Sequence, residues 1–148
     1  MEEFLRLDRQ LCFALYACSK ELLRRYEPVL SPLGLTYTQY ILLLSLWEKD
    51  GQTVKSLGET LYLDSGTLTP LIKRMEAKEL VKKQRSKTDE RSVEVYLTEK
   101  GRALKNEAVA IPEKMLCMSG LGIGEAVSLR DSLKNFLRIL EENRKDGV

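Results

Sequence analysis

Asp64-Ser-Gly-Thr-Leu-Thr-Pro-Leu-Ile-Lys-Arg-Met-Glu76 carries the pattern of a capped helix with one dry face and one wet face. Asp64 is a favoured N-cap residue, and Leu68, Leu71, Ile72, Met75 and Leu80 recur at the spacing of a single apolar stripe. Ser65, Thr69, Lys73 and Glu76 fall three or four residues apart on another face, with Gly66, Pro70 and Arg74 beside them. Short hydroxyl donors and two cations therefore point outward, a face that suits phosphates and base edges. Pro70 removes one backbone donor and crowds the carbonyl of Gly66, which predicts a kinked or loosened first turn.

The chain continues at once into Val81-Lys-Lys-Gln-Arg-Ser-Lys-Thr-Asp-Glu-Arg-Ser-Val-Glu-Val-Tyr-Leu97, where Val93, Val95 and Leu97 alternate with Glu94 and Tyr96 at strand period. The expected structure is a two-stranded hairpin with its tip near residues 87–91. Residues 73–91 hold eight Lys or Arg and four Asp or Glu, a local net charge of +4, so the rest must sum to −2 to give the whole-chain +2. A charged run on its own also fits a merely solvated surface. A basic helix followed directly by a basic hairpin points instead to nucleic acid.

Working outward, residues 5–27 predict a long helix with Leu11, Leu15, Cys18, Leu22 and Tyr26 on one stripe, ended by Pro28 and Ser31-Pro32-Leu33-Gly34. Thr36 to Glu48 predicts a strongly apolar, central helix, Asp50-Gly51 a turn, and Thr53 to Leu61 a short helix capped by Thr53. Helices leading into a reading helix, followed by a hairpin, make a winged helix-turn-helix. A helix from Thr98 should bend or restart at Pro112, Gly120-Leu-Gly-Ile-Gly124 is an interhelical turn, and Glu125 to Asn143 is a last amphipathic helix. The fold class is thus mainly α with a small β wing. It forms one domain over residues 1–148, with dimerisation helices at 1–34 and 98–148 around a DNA-binding region at 35–97. Long apolar helices at both ends need a partner, and a homodimer would present two reading helices to a two-fold-symmetric site.

With 148 residues, 43% hydrophobic and 31% charged, the chain can bury a real core. It shows no signal region and no apolar run long enough for a membrane span, so a cytoplasmic protein without membrane partners is expected. Three cysteines and no histidine give no zinc constellation and no His-assisted catalytic site, and neither a metal nor a cofactor is expected. In a reducing compartment the thiols would be free by default.

This order of helices, with Asp64-Ser-Gly-Thr-Leu-Thr in the reading helix and Asp89-Glu-Arg-Ser at the wing tip, resembles the MarR family of winged-helix transcriptional regulators over nearly the whole chain. Gln10-Leu-Cys-Phe-Ala-Leu-Tyr-Ala, Tyr26 and Leu35-Thr-Tyr-Thr-Gln-Tyr resemble the organic-hydroperoxide-sensing branch. The resemblance implies a homodimeric repressor on a palindromic operator. Ser65, Thr67, Thr69 and Arg74 would enter the major groove, and Arg91, braced by Asp89, the minor groove. Lys55, Lys73 and Arg85 more naturally supply phosphate contacts.

Cys12 alone would read as a small buried hydrophobe. Tyr16 lies one turn along the same face, however, and the resemblance adds Tyr26 and Tyr37 as hydroxyls donating to the sulfur. Such donors favour the thiolate that attacks a peroxide oxygen. Cys18 sits six residues on, a rise of roughly 9 Å, and points about 120° away, too far for a disulfide with Cys12. It is expected in the core. Cys117 matches the resolving thiol of two-cysteine members, which implies a disulfide with Cys12 of the other subunit; simple packing beside Met115, Leu116 and Met118 is its other reading. Rival functions are a MarR-type repressor relieved by a small phenolic ligand, a thiol peroxidase, and a nonspecific DNA-coating protein.

Overall fold

The computed structural model describes residues 2–145. The chain divides into two compact units, residues 1–110 and residues 111–148. In the first unit two short 3-10 turns, Glu2–Leu5 and Leu7–Arg9, precede helix α1 at Leu11–Leu30. The expected helix over 5–27 therefore starts later and ends later. Arg6 and Gln10 are extended, and the Gln10 side chain donates to Phe4 O (2.6 Å) and Arg6 O (3.2 Å), occupying carbonyls that a continuing helix would use. Pro28 does not end α1, which runs through it to Leu30. Only the bond to the Arg24 carbonyl is forgone. The real stop is Gly34, whose left-handed φ of 65° lets Leu35 N donate back to Leu30 O (3.2 Å).

Helix α2, Tyr37–Glu48, begins with a capping box between Thr36 and Gln39. It is the centre of the core: Leu42 and Leu43 are fully buried and Leu46 nearly so. Its near-continuous apolar sequence is what a helix packed on all sides requires. Strand β1 (Gln52–Thr53) leads into helix α3 (Val54–Leu61), capped by Thr53 through Ser56 N (3.1 Å), and helix α4 (Ser65–Ala77) follows. Asp64 Oδ1 accepts from Thr67 N (2.8 Å), the predicted cap. Leu68, Leu71, Ile72 and Met75 are at most 1% exposed, so the apolar stripe is the face that holds α4 down. Each such side chain contributes about 1.5–3 kcal/mol by leaving water. Pro70 does not interrupt α4; the carbonyl it leaves without a donor belongs to exposed Gly66 in the first turn, open to water.

Strands β2 (Val81–Arg85) and β3 (Val93–Leu97) form the expected hairpin, antiparallel with Val81 opposite Leu97 and Arg85 opposite Val93. The sheet has three strands rather than two, in the order β1-β3-β2, because Gln52 and Thr53 pair with Val95 and Glu94. Helix α5, Glu99–Ala108, is capped by Thr98 and packs so closely that a Cβ on Gly101 would collide with Leu80 O. Only glycine fits there. Trp47 Nε1 donates to Gly101 O (2.9 Å), fixing α5 to the core helix.

The second unit contains helix α6 (Ile111–Ser119), with Pro112 in its first turn as predicted, and helix α7 (Ile123–Lys145), separated by a turn at Gly120 with φ 75°. The apolar stripe of α7 is uncovered in the single chain, with Leu129 52% and Leu140 50% exposed. Among the described residues no single helix is long and apolar enough to cross a membrane.

Candidate nucleic-acid interface and thiol site

The outer face of α4 presents Ser65, Thr67, Thr69, Lys73 and Arg74 to solvent, as its period requires. Glu76, at the edge of this face, is turned to structure: it accepts from Lys83 N (3.1 Å) and pairs with Lys83 Nζ (3.2 Å). One carboxylate thus clamps the wing to the reading helix. Side chains alternate across a strand, so Arg85 shares the α4-facing side of β2 with Lys83, while Lys82 and Gln84 face the other way. Among the described residues no carboxylate forms an ion pair with Lys73, Arg74, Arg85 or Arg91 within 4.0 Å. Their charge is available for phosphate.

The wing tip is shaped by Asp89. Its carboxylate accepts from Arg91 N (3.0 Å) and from the Ser92 hydroxyl (2.9 Å), and Ser92 N donates to Asp89 O (2.9 Å). These bonds, the Arg91 amide first, hold the Asp89 carboxyl below its ordinary value. The expected brace between Asp89 and Arg91 therefore acts on the main chain of Arg91 and not on its guanidinium, which stays at the exposed tip.

All three thiols are free and exposed in the single chain. Cys18 is thus not in the core of this chain, because its own stripe lies outward, with Leu11 61% and Leu22 48% exposed. Cys12 is the second residue of α1. Tyr16, one turn on, accepts from Lys20 Nζ (3.2 Å), and that ammonium lies 5.2 Å from the Tyr16 ring centre. Tyr26 and Tyr37 are brought together, ring centres 4.8 Å apart, with Tyr40 6.0 Å from Tyr26. Burial, then the neighbouring Tyr37 and Tyr40, pushes the Tyr26 hydroxyl up to about 12; burial also raises Tyr37 and Tyr40. All three keep a proton to donate at neutral pH. A cavity of about 430 Å³ beside them is lined by Leu23, Tyr26, Leu30, Leu35, Thr36 and Tyr37.

The structure does not bring this cluster to the Cys12 of the same chain. Fourteen residues of unbroken helix separate Cys12 from Tyr26, a rise of about 21 Å. Tyr40, the last residue of the 35–40 stretch, joins the pair because its place three residues after Tyr37 puts both on one helix face. Cys117 lies in α6, in the second unit. Among the described residues no three His, Cys, Asp or Glu side chains form a group able to hold a metal ion.

The chain is 47% identical over 140 residues to the organic hydroperoxide resistance transcriptional regulator of Bacillus subtilis, covering 95% of each protein. It belongs to the MarR family of winged-helix transcriptional regulators. Within that family its branch is that of the organic hydroperoxide resistance regulators. The family model of the transcriptional regulators SarA/Rot matches residues 24–108, from the last turns of α1 to the end of α5. The reduced AbfR bound to DNA, a protein of Staphylococcus epidermidis, is similar at 36% identity with a TM-score of 0.75, covering 94% of this chain and 97% of AbfR. The disulfide-formed AbfR, also 36% identical and covering 92% and 96%, gives a TM-score of 0.60. This MarR-family chain is a DNA-binding transcriptional regulator, and α4 with the hairpin is its winged helix.

Proposed function

We propose that this regulator binds a palindromic operator as a homodimer when reduced and releases it when an organic hydroperoxide oxidises Cys12. Ser65, Thr67, Thr69 and Arg74 read the major groove, Arg91 enters the minor groove, and Lys55, Lys73 and Arg85 neutralise phosphates. The Cys12 thiolate attacks the peroxide oxygen; the O–O bond breaks, an S–O bond forms, and the alkoxide leaves as the alcohol. Cys117 of the other subunit then attacks the sulfenic sulfur, forming the disulfide and expelling water.

The observation that carries this reading is the distance along α1. Tyr26 cannot reach Cys12 of its own chain, while the face of α1 that bears Leu11 and Leu22 is exposed. A second copy packed on that face covers the stripe and supplies the tyrosine hydroxyls to the sulfur. AbfR occurs bound to DNA both reduced and overoxidized, and also in a disulfide-formed state, which supports the disulfide rather than thiol oxidation alone as the releasing step here.

A second reading, release by a small phenolic ligand, is favoured by the tyrosine-lined cavity. Operator binding with and without organic hydroperoxide, for wild type, Cys12→Ser and Cys117→Ser, separates the two. Thiol sensing requires that Cys12→Ser stay bound and that wild type, not Cys117→Ser, give a dimer band on a non-reducing gel. Release of Cys12→Ser by peroxide would end the proposal.

A further inference from the structure

One side chain ties the turn that carries Tyr37 to the end of the reading helix. Lys78 directly follows α4, and its ammonium donates to Gly34 O (2.5 Å) and Gln39 Oε1 (3.0 Å). Gln39 is 2% exposed, and the same Oε1 accepts from Thr36 N (3.2 Å) in the capping box that starts α2. Tyr37, whose ring lies tilted against that of Tyr26, is the first residue of that helix. On its other side the Lys78 carbonyl accepts from Lys100 Nζ of α5 (2.9 Å), and Thr98 Oγ1 donates to Glu79 O (2.5 Å). Among the described residues no carboxylate forms an ion pair with Lys78 within 4.0 Å, so its charge is directed at two neutral oxygens of the Tyr37 turn. Hydrogen bonds from a charged donor are about twice as strong as neutral ones.

We propose that Lys78 is a positioning residue that passes a displacement of the Tyr37 turn to the C-terminal end of α4. This rests on the thiol-sensing reading above, in which Tyr37 contacts the oxidised centre. Movement of the turn carries Gly34 O and Gln39 Oε1 with it, and the short tether leaves α4 no slack to remain in register with its operator.

The test uses full-length dimer and cumene hydroperoxide. Operator affinity is measured before and after treatment for wild type, Lys78→Met and Lys78→Arg, with the Cys12 oxidation rate followed by mass spectrometry and thermal melting as a control. Coupling between sites of this kind spans about 5- to 150-fold in affinity. Lys78→Met is expected to oxidise at the wild-type rate yet to lose at least about fivefold of the affinity change, whereas Lys78→Arg retains it. Where Lys78→Met melts too low for binding, Lys78→Gln replaces it with the same expectation. An unchanged affinity ratio in the neutral variant, with wild type responding normally, overturns the role of Lys78 and leaves thiol sensing intact. A wild type that keeps its operator after Cys12 is oxidised overturns both.

Discussion

The DNA-reading region and the thiol region of this molecule are built in opposite ways. The first is local: a cap at Asp64, a buried stripe from Leu68 to Met75, and a hairpin clamped to the same helix by Glu76 all lie within about thirty residues. The second is dispersed, with Cys12 and Tyr26 at opposite ends of a 20-residue helix and Cys117 in another unit of the chain. A surface for reading DNA can be complete in one protomer, whereas a switch gains from being complete only in the assembly, where chemistry and subunit geometry are necessarily coupled.

The sharpest way to break that contrast is to damage both regions alike. Leu71→Ala, in the stripe under α4, should cost about 2–5 kcal/mol of stability, read by denaturant unfolding and independent of protein concentration. Leu22→Ala, on the exposed face of α1, should instead lower the melting temperature in a concentration-dependent way if, as proposed, a second copy covers that face. Equal, concentration-independent losses would mean that α1 is not an interface.

Within the reading region, Arg74→Ala should weaken operator binding by about 1–3 kcal/mol and relax its sequence preference. Lys73→Ala should weaken binding to any duplex and reduce the salt slope by about one. Identical behaviour of the two variants on operator and random DNA would remove the division between base and phosphate contacts.

A smaller effect belongs to the tyrosine cluster. Burial pushes the Tyr26 hydroxyl up to about 12 from its ordinary 10.0, so its proton is bound more tightly in the native state. Stability is therefore unaffected below pH 10 and falls as pH rises from 10 toward 12, since the unfolded chain loses the proton first. Tyr26→Phe should flatten that part of the alkaline unfolding curve. The same slope in both proteins would show that burial of the Tyr26 hydroxyl is not what raises it.

Legibility followed the same division. Asp64, Thr36, Thr53 and Thr98 announce their helices because a cap is one residue acting on its immediate neighbours. Strand β3 shows in its alternation, but β1 is two residues long, too short to have a period, and exists only because β3 offers it an edge. The start of α1 is not legible because a glutamine side chain, not a proline or glycine, captures the carbonyls before it. The exposure of Cys18 is hidden because an apolar stripe looks the same in sequence whether or not it packs on its own chain. The main-chain role of Asp89 was hidden for a related reason: spacing shows that two residues are close, not which atoms meet.

The most direct test mixes two variants in a background of Cys18→Ser and Cys117→Ser: one chain carries Cys12→Ser, the other Tyr26→Phe with Tyr37→Phe. In the purified mixed dimer the single remaining Cys12 sits on the chain without the two tyrosines. If the site is assembled across subunits, that thiol should be oxidised by organic hydroperoxide at the rate seen with both tyrosines intact. Oxidation at the slow rate of the Tyr26→Phe, Tyr37→Phe homodimer would contradict it.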